Sequence, residues 1–310
     1  IMDKHPKNSQ NEFDAQPFEL EKNKGEKEHE QVNIPKTITS REVFNPAVFS
    51  GQQDLYYNMD NPRRGVALIF NHTEIDKQPR RDGTKYDRDR IVKVLKYLYF
   101  EPRVYEDLSR SQIMNILDNF VEQNHTDDDC LVIVVMTHGD RDTLYAKDQA
   151  YPVDDLLGKV TGDKCPTLAG KPKLIFIQAC RGGNFDIGVK LASIASAQAD
   201  SGISYRIPIT ADILVMYSTV PGYVSYRSPV EGSWFIQSLC IELEENAQFY
   251  DLLEILQLTA NRVAVFYEAS KNDDNKNNTV IVKQMPLIES TLTHFLHFGK
   301  SNKFLKCLNK

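Results

Sequence analysis

Reactive residues follow two of the most apolar stretches of the sequence. His138 lies near the end of CLVIVVMTHGD (130–140), and Cys180 ends KPKLIFIQAC (171–180). A thiol is a weak nucleophile until it loses its proton, and a neighbouring imidazole accepts that proton and later returns it to the leaving amine. His138 and Cys180 are therefore our candidates for nucleophilic attack on a peptide carbonyl.

Both apolar runs are predicted to be buried strands of a parallel sheet. Ligands bind at the carboxyl edge of such a sheet, where His138 and Cys180 would meet although they are 42 positions apart (180 − 138). Gly139 lets the main chain come close, and the N–H groups of Gly139 and Cys180 would suit an oxyanion. A lone cysteine or histidine at a strand end is more often structural, so the hypothesis depends on the two occurring together.

The rest of the pattern alternates strands with helices, which predicts an α/β fold. We expect a mostly parallel six-stranded sheet with helices on both faces. The predicted strands lie at 64–72, 102–107, 130–140, 171–180, 212–220 and 283–290. Apolar residues at helical spacing predict helices near 91–98, 113–121, 232–246 and 249–268.

Composition excludes several classes of protein. The chain has 310 residues, a net charge of -6 and a hydrophobic fraction of 41%, which argues against general nucleic-acid binding and allows a sizeable core. No run approaches the ~18 apolar residues that a membrane helix needs. Five widely spaced cysteines form no C-x-x-C pair, so we expect reduced thiols, no metal site and a cytoplasmic protein.

Two polar regions predict the organisation of the chain. Residues 1–55 contain ELEKNKGEKEHEQ and little apolar periodicity, which indicates a short disordered leader. Residues 184–207 are rich in Ala, Ser and Gly and interrupt the fold, which is typical of a functional loop.

The motif Gln178-Ala179-Cys180-Arg181-Gly182 resembles the active-site pentapeptide of the caspases, and THGD supplies the expected upstream histidine. The likeness runs from about Tyr56 to Gly299. It includes the segments Arg81-Asp82-Gly83-Thr84, Cys165-Pro166-Thr167-Leu168, Val220-Pro221-Gly222-Tyr223 and Gly232-Ser233-Trp234-Phe235. The chain is similar to executioner (effector) caspases, and several segments resemble insect members. The resemblance implies a caspase-like fold, an endopeptidase that cleaves after aspartate in apoptosis, and no cofactor.

The resemblance also implies a specificity pocket. Arg81, Gln178 and Arg227 would clasp the substrate aspartate through charge-assisted hydrogen bonds. The alternative is that both arginines are solvated loop residues. Arg227 would also offer backbone atoms to an extended substrate. Trp234 matches the family's pocket for the fourth residue before the cut, and a purely core role is equally open.

Some positions depart from the family's pattern. Val224 and Tyr226 replace a typical tyrosine and tryptophan, so the second subsite is expected to be reshaped. The segment KNDDNKNN (271–278) reads as an acidic loop without the expected aromatic residue. Pro79 stands where the family presents a carbonyl to the catalytic histidine, and proline keeps that carbonyl.

By resemblance, the protein is a zymogen whose cleavage separates a large subunit (56–200) from a small subunit (201–310). Asp200 is our first candidate for the activating cut, Asp186 the second, and Asp14 the candidate for leader removal. Expected partners are protein substrates, a homodimer of large/small pairs that meets through the final strand, an upstream initiator caspase and inhibitor-of-apoptosis proteins.

Two rival functions are a pseudo-protease that regulates a partner, and a Cys-His peptidase that cuts after arginine or asparagine. The complete set of His138, Cys180, Arg81 and Arg227 argues against the first. Two arginines in the pocket argue against the second.

Overall fold

The computed structural model describes residues 12–13, 55–186, 208–273 and 278–300. In chain order the strands are β1 (Glu12–Phe13), β2 (Val66–Asn71), β3 (Glu101–Glu106), β4 (Leu131–Met136), β5 (Gly139–Asp140), β6 (Thr143–Tyr145), β7 (Ala150–Pro152), β8 (Lys173–Gln178), β9 (Ile213–Tyr217), β10 (Tyr226–Ser228), β11 (Gly232–Ser233), β12 (Ala269–Asp273), β13 (Asn278–Val282) and β14 (Leu287–Ser290). The helices are α1 (Thr84–Tyr97), α2 (Arg110–Val121), α3 (Val153–Leu157), α4 (Trp234–Asn246) and α5 (Leu252–Phe266).

A six-stranded sheet in the order β14-β9-β8-β4-β2-β3 forms the centre. Neighbouring strands are parallel from β3 to β9, and β14 is antiparallel to β9. Every residue of β2, β4 and β8 is buried, because helices cover both faces and leave no polar side. The predicted fold class is confirmed, and so is the position of the final strand at the sheet edge.

The two faces of the sheet carry separate cores. Alternate strand residues such as Ile69, Val134 and Phe176 pack against α1, α4 and α5. Their neighbours, such as Phe70 and Val135, pack against α2 and α3. This division follows from the two-residue period of a strand, which sends successive side chains to opposite faces.

Local chemistry fixes the helix starts that border the site. The Ser233 hydroxyl caps α4 by accepting the N–H of Ile236 at 3.2 Å. Gly83 precedes α1 with a φ of +87°, and a Cβ there would lie 2.3 Å from the carbonyl oxygen of Ser228. Only glycine allows this approach, which brings the loop before α1 against β10.

Three small β elements were not predicted. They are the sheet β5-β6-β7, the sheet β1-β10-β11 and the hairpin β12-β13. The expectation of a loop at 271–278 was wrong at both ends, because 271–273 end β12 and Asn278 begins β13; residues 274–277 lie outside the described residues. Of the predicted leader, the structure describes Glu12–Phe13, which forms a strand, and Leu55.

Candidate active site

The ends of β4 and β8 bring the candidate catalytic residues together. Met136 is opposite Gln178, and the N–H of Thr137 donates to the Gln178 carbonyl at 3.0 Å. One step further, a Cβ on Gly139 would lie only 2.6 Å from the Cys180 carbonyl oxygen. His138 and Cys180 therefore follow adjacent strand ends at the carboxyl edge of the sheet.

A backbone carbonyl fixes the imidazole of His138. Its Nε2 lies 2.7 Å from the carbonyl oxygen of Pro79, and the residue is almost fully buried. Because a carbonyl can only accept, Nε2 carries the proton of this hydrogen bond. In the neutral ring, Nδ1 is then the nitrogen that is able to accept another proton.

The thiol of Cys180 is covered in this structure. The residue is 1% exposed and packs with Val224, Tyr226 and Trp234. The N–H of Ser225 donates to Sγ at 3.1 Å, and the thiol donates to the Ser225 carbonyl at 3.6 Å. The sequence offered no signal for Ser225, which is a single serine in a loop.

Arg81 is anchored to the end of β2, the neighbour of β4. Its side chain is fully buried and donates to the carbonyl of His72 at 2.7 Å and to the hydroxyl of Thr84 at 3.2 Å. Thr84 in turn donates to Asn71, the last residue of β2, at 2.6 Å. The reading of Arg81 as a solvated loop residue was wrong.

His72 is a buried neighbour of that arginine. Burial lowers the pKa of His72 from 6.5 to about 4, and the charge of Arg81 acts in the same direction. Its Nε2 lies 3.1 Å from the Leu108 carbonyl oxygen. His72 is therefore neutral in the neutral pH range, and its carbonyl positions Arg81.

Arg227 contacts the segment that carries Arg81, and Gln178 contacts Ser225. Arg227 is fully buried, and its Nε donates to the carbonyl of Asp82 at 2.8 Å. Asp82 follows Arg81 directly, so one short segment connects the two arginines. The Gln178 amide donates to the Ser225 hydroxyl at 2.8 Å, which places it beside the residue that contacts the thiol. A solvated position for Arg227 was also wrong.

A buried carboxyl group was missed by the sequence analysis. Asp87 of α1 accepts the N–H of Ser233 and, at 2.8 Å, the amide of Gln237. Burial raises its pKa from 3.8 to about 6, while hydrogen bonds from Gln237 and Ser233 and the charge of Arg227 oppose that rise. Asp87 therefore ties α1 to the start of α4, next to Arg227 and Trp234.

Comparison with known proteins assigns the family. The sequence model described as "Caspase domain" matches residues 64–297. The chain belongs to the caspase family. Caspase drICE of Drosophila melanogaster is 40% identical over 270 residues, which are 86% of this chain and 76% of that protein. Caspase-1 of Spodoptera frugiperda is 44% identical over 247 residues, which are 79% of this chain and 82% of that protein.

A solved structure supports the same assignment. The crystal structure of Caspase-1 from Spodoptera frugiperda aligns with a TM-score of 0.73 at 43% identity, covering 81% of this chain and 96% of that one. The resemblance to insect effector caspases is confirmed. This caspase is thus an aspartate-specific cysteine endopeptidase of apoptosis, and its family is typically made as zymogens.

An aromatic stack lies beside the thiol of this caspase. Tyr226 and Trp234 have ring centroids 4.4 Å apart with an interplanar angle of 18°, and Trp234 also stacks on Tyr267 at 5.4 Å. Val224 is buried in the same cluster. Burial raises the pKa of Tyr226 well above its ordinary value, so its hydroxyl stays protonated. Trp234 is thus packed in a core cluster that includes Cys180, as the core alternative predicted; its role in a substrate pocket stays a prediction.

The candidate cleavage positions are described only in part. Asp14 and Asp200 lie outside the described residues. The carbonyl oxygen of Asp186 accepts the N–H of Lys283 at 2.9 Å in an isolated antiparallel bridge. Asp186 is therefore held in folded backbone, unlike the exposed extended segment that a protease requires.

In the part of the caspase that the structure describes, no helix is long and apolar enough to cross a membrane. The same residues contain no group of three or more His, Cys, Asp or Glu side chains arranged for a metal. Cys130, Cys165, Cys180 and Cys240 are buried and form no disulfide among the described residues.

Proposed function

We propose that Cys180 is the nucleophile of this caspase and His138 its proton partner. The contact between His138 Nε2 and the Pro79 carbonyl supports this assignment because it leaves Nδ1 to take the thiol proton. The thiolate attacks the carbonyl carbon of the substrate aspartate, and His138 returns the proton to the leaving amine. Water then hydrolyses the thioester, releasing the acid and the thiol.

The backbone N–H groups of Gly139 and Cys180 are our candidates for the oxyanion hole. The close approach of Gly139 to the Cys180 carbonyl supports this proposal, because it brings the two residues together beyond the adjacent ends of β4 and β8. Each such donor typically contributes ~3–4 kcal/mol to lowering the barrier. A side chain at position 139 would displace one of them.

Arg81, Gln178 and Arg227 form the proposed pocket for the substrate aspartate. The observation that carries this proposal is the burial of both arginines around Asp82, with Gln178 bound to Ser225. Two guanidinium groups and an amide provide enough donors for one carboxylate. An uncharged side chain would leave this cationic pocket without its counter-charge, so discrimination should be severe.

Beyond the aspartate pocket, Val224, Tyr226 and Trp234 are proposed to bind the preceding substrate residues. Their position in one buried cluster with Cys180 supports this role. Arg227 lies in β10, so its backbone is suited to pair with an extended substrate.

Activation is proposed to follow a cut at Asp200, between a large subunit (56–200) and a small subunit (201–310). Ala197-Gln198-Ala199-Asp200-Ser201 has a small residue after the aspartate, whereas Asp186 is held by Lys283. An initiator caspase is the proposed activating protease. Inhibitor-of-apoptosis proteins are proposed regulators, and the cytoplasm is the proposed compartment.

Caspases act on protein substrates as dimers, and we propose that two large/small pairs of this chain join through β14. Among the described residues, β14 pairs with β9 on one side and with no strand on the other. Pairing with its twin would cover this open edge.

A peptide-library digest tests the catalytic and pocket assignments. The wild-type enzyme should cleave after aspartate, Cys180→Ala should cleave nothing, and Arg227→Ala should lose at least ~10²-fold in kcat/KM for aspartyl peptides. Arg80→Ala is the matched control, because Arg80 is an exposed arginine that pairs with Glu74 and Asp82. Cleavage by Cys180→Ala, or an Arg227→Ala enzyme with unchanged preference, would refute the assignments.

A further inference from the structure

The turn that follows β3 holds the chain that follows β2. The two strands pair in parallel, with Asn71 opposite Glu106, so the residues after them leave the sheet side by side. The carboxylate of Asp107 accepts two consecutive backbone N–H groups of the chain after β2, from Thr73 at 2.6 Å and from Glu74 at 2.9 Å. One side chain therefore fixes the start of the loop that follows β2.

This loop carries two groups of the proposed active site. The carbonyl of Thr73 accepts the N–H of Arg81 at 2.9 Å, which closes the loop on itself. Pro79, two residues before Arg81, gives its carbonyl to His138 Nε2 at 2.7 Å. Because Asp107 holds the N–H of Thr73 while the Thr73 carbonyl holds Arg81, a shift of Thr73 would displace both groups.

The backbone of Asp107 lies in the left-handed region, with a φ of +49°. Glycine adopts this conformation most easily, and aspartate and asparagine tolerate it better than most other residues. A glycine would have no side chain to accept the N–H groups of Thr73 and Glu74. Aspartate therefore combines a tolerated turn conformation with the acceptor that the loop requires.

Backbone contacts hold the middle of the loop independently of that carboxylate. The N–H of Asp76 donates to the carbonyl of Lys147 at 2.8 Å, and the N–H of Lys147 donates to the carbonyl of Leu108 at 2.9 Å. Neither contact uses a side chain, so a substitution of Asp107 leaves both available. Loss of the carboxylate should therefore displace the start of the loop without unfolding the protein.

We propose that Asp107 is a positioning residue for catalysis, acting through Thr73 on Pro79 and Arg81. The proposal rests on the function proposed above. Its carboxylate sets the loop so that the Pro79 carbonyl orients His138 and Arg81 meets the substrate aspartate. Charge-assisted hydrogen bonds to backbone N–H groups are stronger than neutral ones, and a displacement of about 1 Å at a catalytic group costs about 10²-fold in rate. Loss of the carboxylate should therefore lower kcat through His138 and raise KM through Arg81.

Two substitutions separate the acceptor from the backbone conformation. Asp107→Gly allows the observed φ and removes the acceptor, and it should lower kcat/KM for an aspartyl peptide at least tenfold, through both a lower kcat and a higher KM. Asp107→Asn tolerates the same conformation and keeps an oxygen acceptor, so it should stay within about threefold of wild type. The processed enzymes are compared per active site, counted by titration with an irreversible aspartyl peptide inhibitor.

Lys77→Gly is the matched control for added chain flexibility. Lys77 lies in the same loop with an exposed side chain and a φ of +62°, so glycine also fits its backbone. It should retain the wild-type kcat and KM. Equal losses in Lys77→Gly and Asp107→Gly would overturn the proposal, because flexibility would then explain both. An Asp107→Asn enzyme as impaired as Asp107→Gly would also overturn it.

The same measurements distinguish this inference from a structural role and from the proposed function. A merely structural role would lower the number of titrated sites and leave kcat and KM per site unchanged, which would overturn the inference. If the wild-type enzyme hydrolyses the peptide and Asp107→Gly matches it, the inference fails and the proposed function stands. If the processed wild-type enzyme hydrolyses no aspartyl peptide, the proposed function fails and the inference falls with it.

Discussion

Two buried groups near the proposed aspartate pocket respond to acid in opposite directions. Burial raises the pKa of Asp87 from 3.8 to about 6, and burial lowers the pKa of His72 from 6.5 to about 4. As pH falls from 7 to 5, the unfolded chain takes up a proton at His72 that the folded chain excludes. The folded chain takes up a proton at Asp87 that the unfolded chain does not. Acid therefore destabilises the fold through His72 and stabilises it through Asp87.

The magnitudes follow from those shifts. Between pH 7 and pH 5, His72 lowers the free energy of unfolding by about 2 kcal/mol and Asp87 raises it by about 1 kcal/mol. The two contributions therefore largely offset each other over this range. Replacing Asp87 should therefore expose the full acid sensitivity of His72.

The substitution Asp87→Asn keeps an oxygen acceptor for the Ser233 N–H and removes the titration. In a Cys180→Ala background, which should prevent self-digestion, urea unfolding at pH 7 and pH 5 measures the change. We expect the variant to lose about 1 kcal/mol more than its parent between the two pH values. Because the other titrating groups are common to both proteins, their contributions cancel in this difference.

Asp89→Asn is the matched control, because Asp89 lies in the same helix with an exposed side chain that pairs with Arg88. It should change with pH as the parent protein does. If Asp87→Asn also parallels the parent between pH 7 and pH 5, the buried carboxyl does not titrate in this range and the reasoning is wrong.

Three further substitutions probe the site itself. Gly139→Ala places a Cβ 2.6 Å from a backbone oxygen and should lower kcat about 10²-fold by displacing the strand ends. The control Gly162→Ala should retain the wild-type kcat, because the nearest atoms to its Cβ are 3.7 Å away. Equal kcat values in the two variants would contradict this reasoning. Arg81→Lys replaces the bidentate guanidinium group by the point charge of an ammonium group and should lower kcat/KM for aspartyl peptides at least tenfold. Arg80→Lys should not lower it. Equal kcat/KM values in the two variants would refute the proposed pocket. Trp234→Ala removes a buried side chain that stacks on two tyrosines, and it should lower the free energy of unfolding by about 3–5 kcal/mol. Urea titration measures this change. A loss below about 1 kcal/mol would contradict the packed position of Trp234.

The sequence predicts the sheet well because its strands are long apolar runs. β4 and β8 are buried on both faces, so their composition alone separates them from helices and loops. Their parallel direction then follows from the alternation with helices. The placement of His138 and Cys180 at one edge needs no further information than this.

Other parts of the site have no comparable signal. Asp87 and Asp89 are both acidic residues of α1, yet only Asp87 is fully buried, because Ser233 and Gln237 approach from α4 and its start. Ser225 is likewise defined by tertiary contact, since its partner Cys180 is 45 positions away. A polar segment of two paired residues, such as Glu12–Phe13, is too short to show a strand period.

The position of Ser225 has a consequence for inhibitor design. The sulfur of Cys180 holds both main-chain polar groups of Ser225, and these are the groups that an incoming extended ligand would seek. A ligand that forms hydrogen bonds with these two groups would break their contacts with Cys180 Sγ as it binds, which would leave the thiol available to an electrophile. Small electrophiles without a peptide-like backbone should therefore react slowly with the thiol as it is buried in this structure. Peptide-like electrophiles should expose the thiol when they bind.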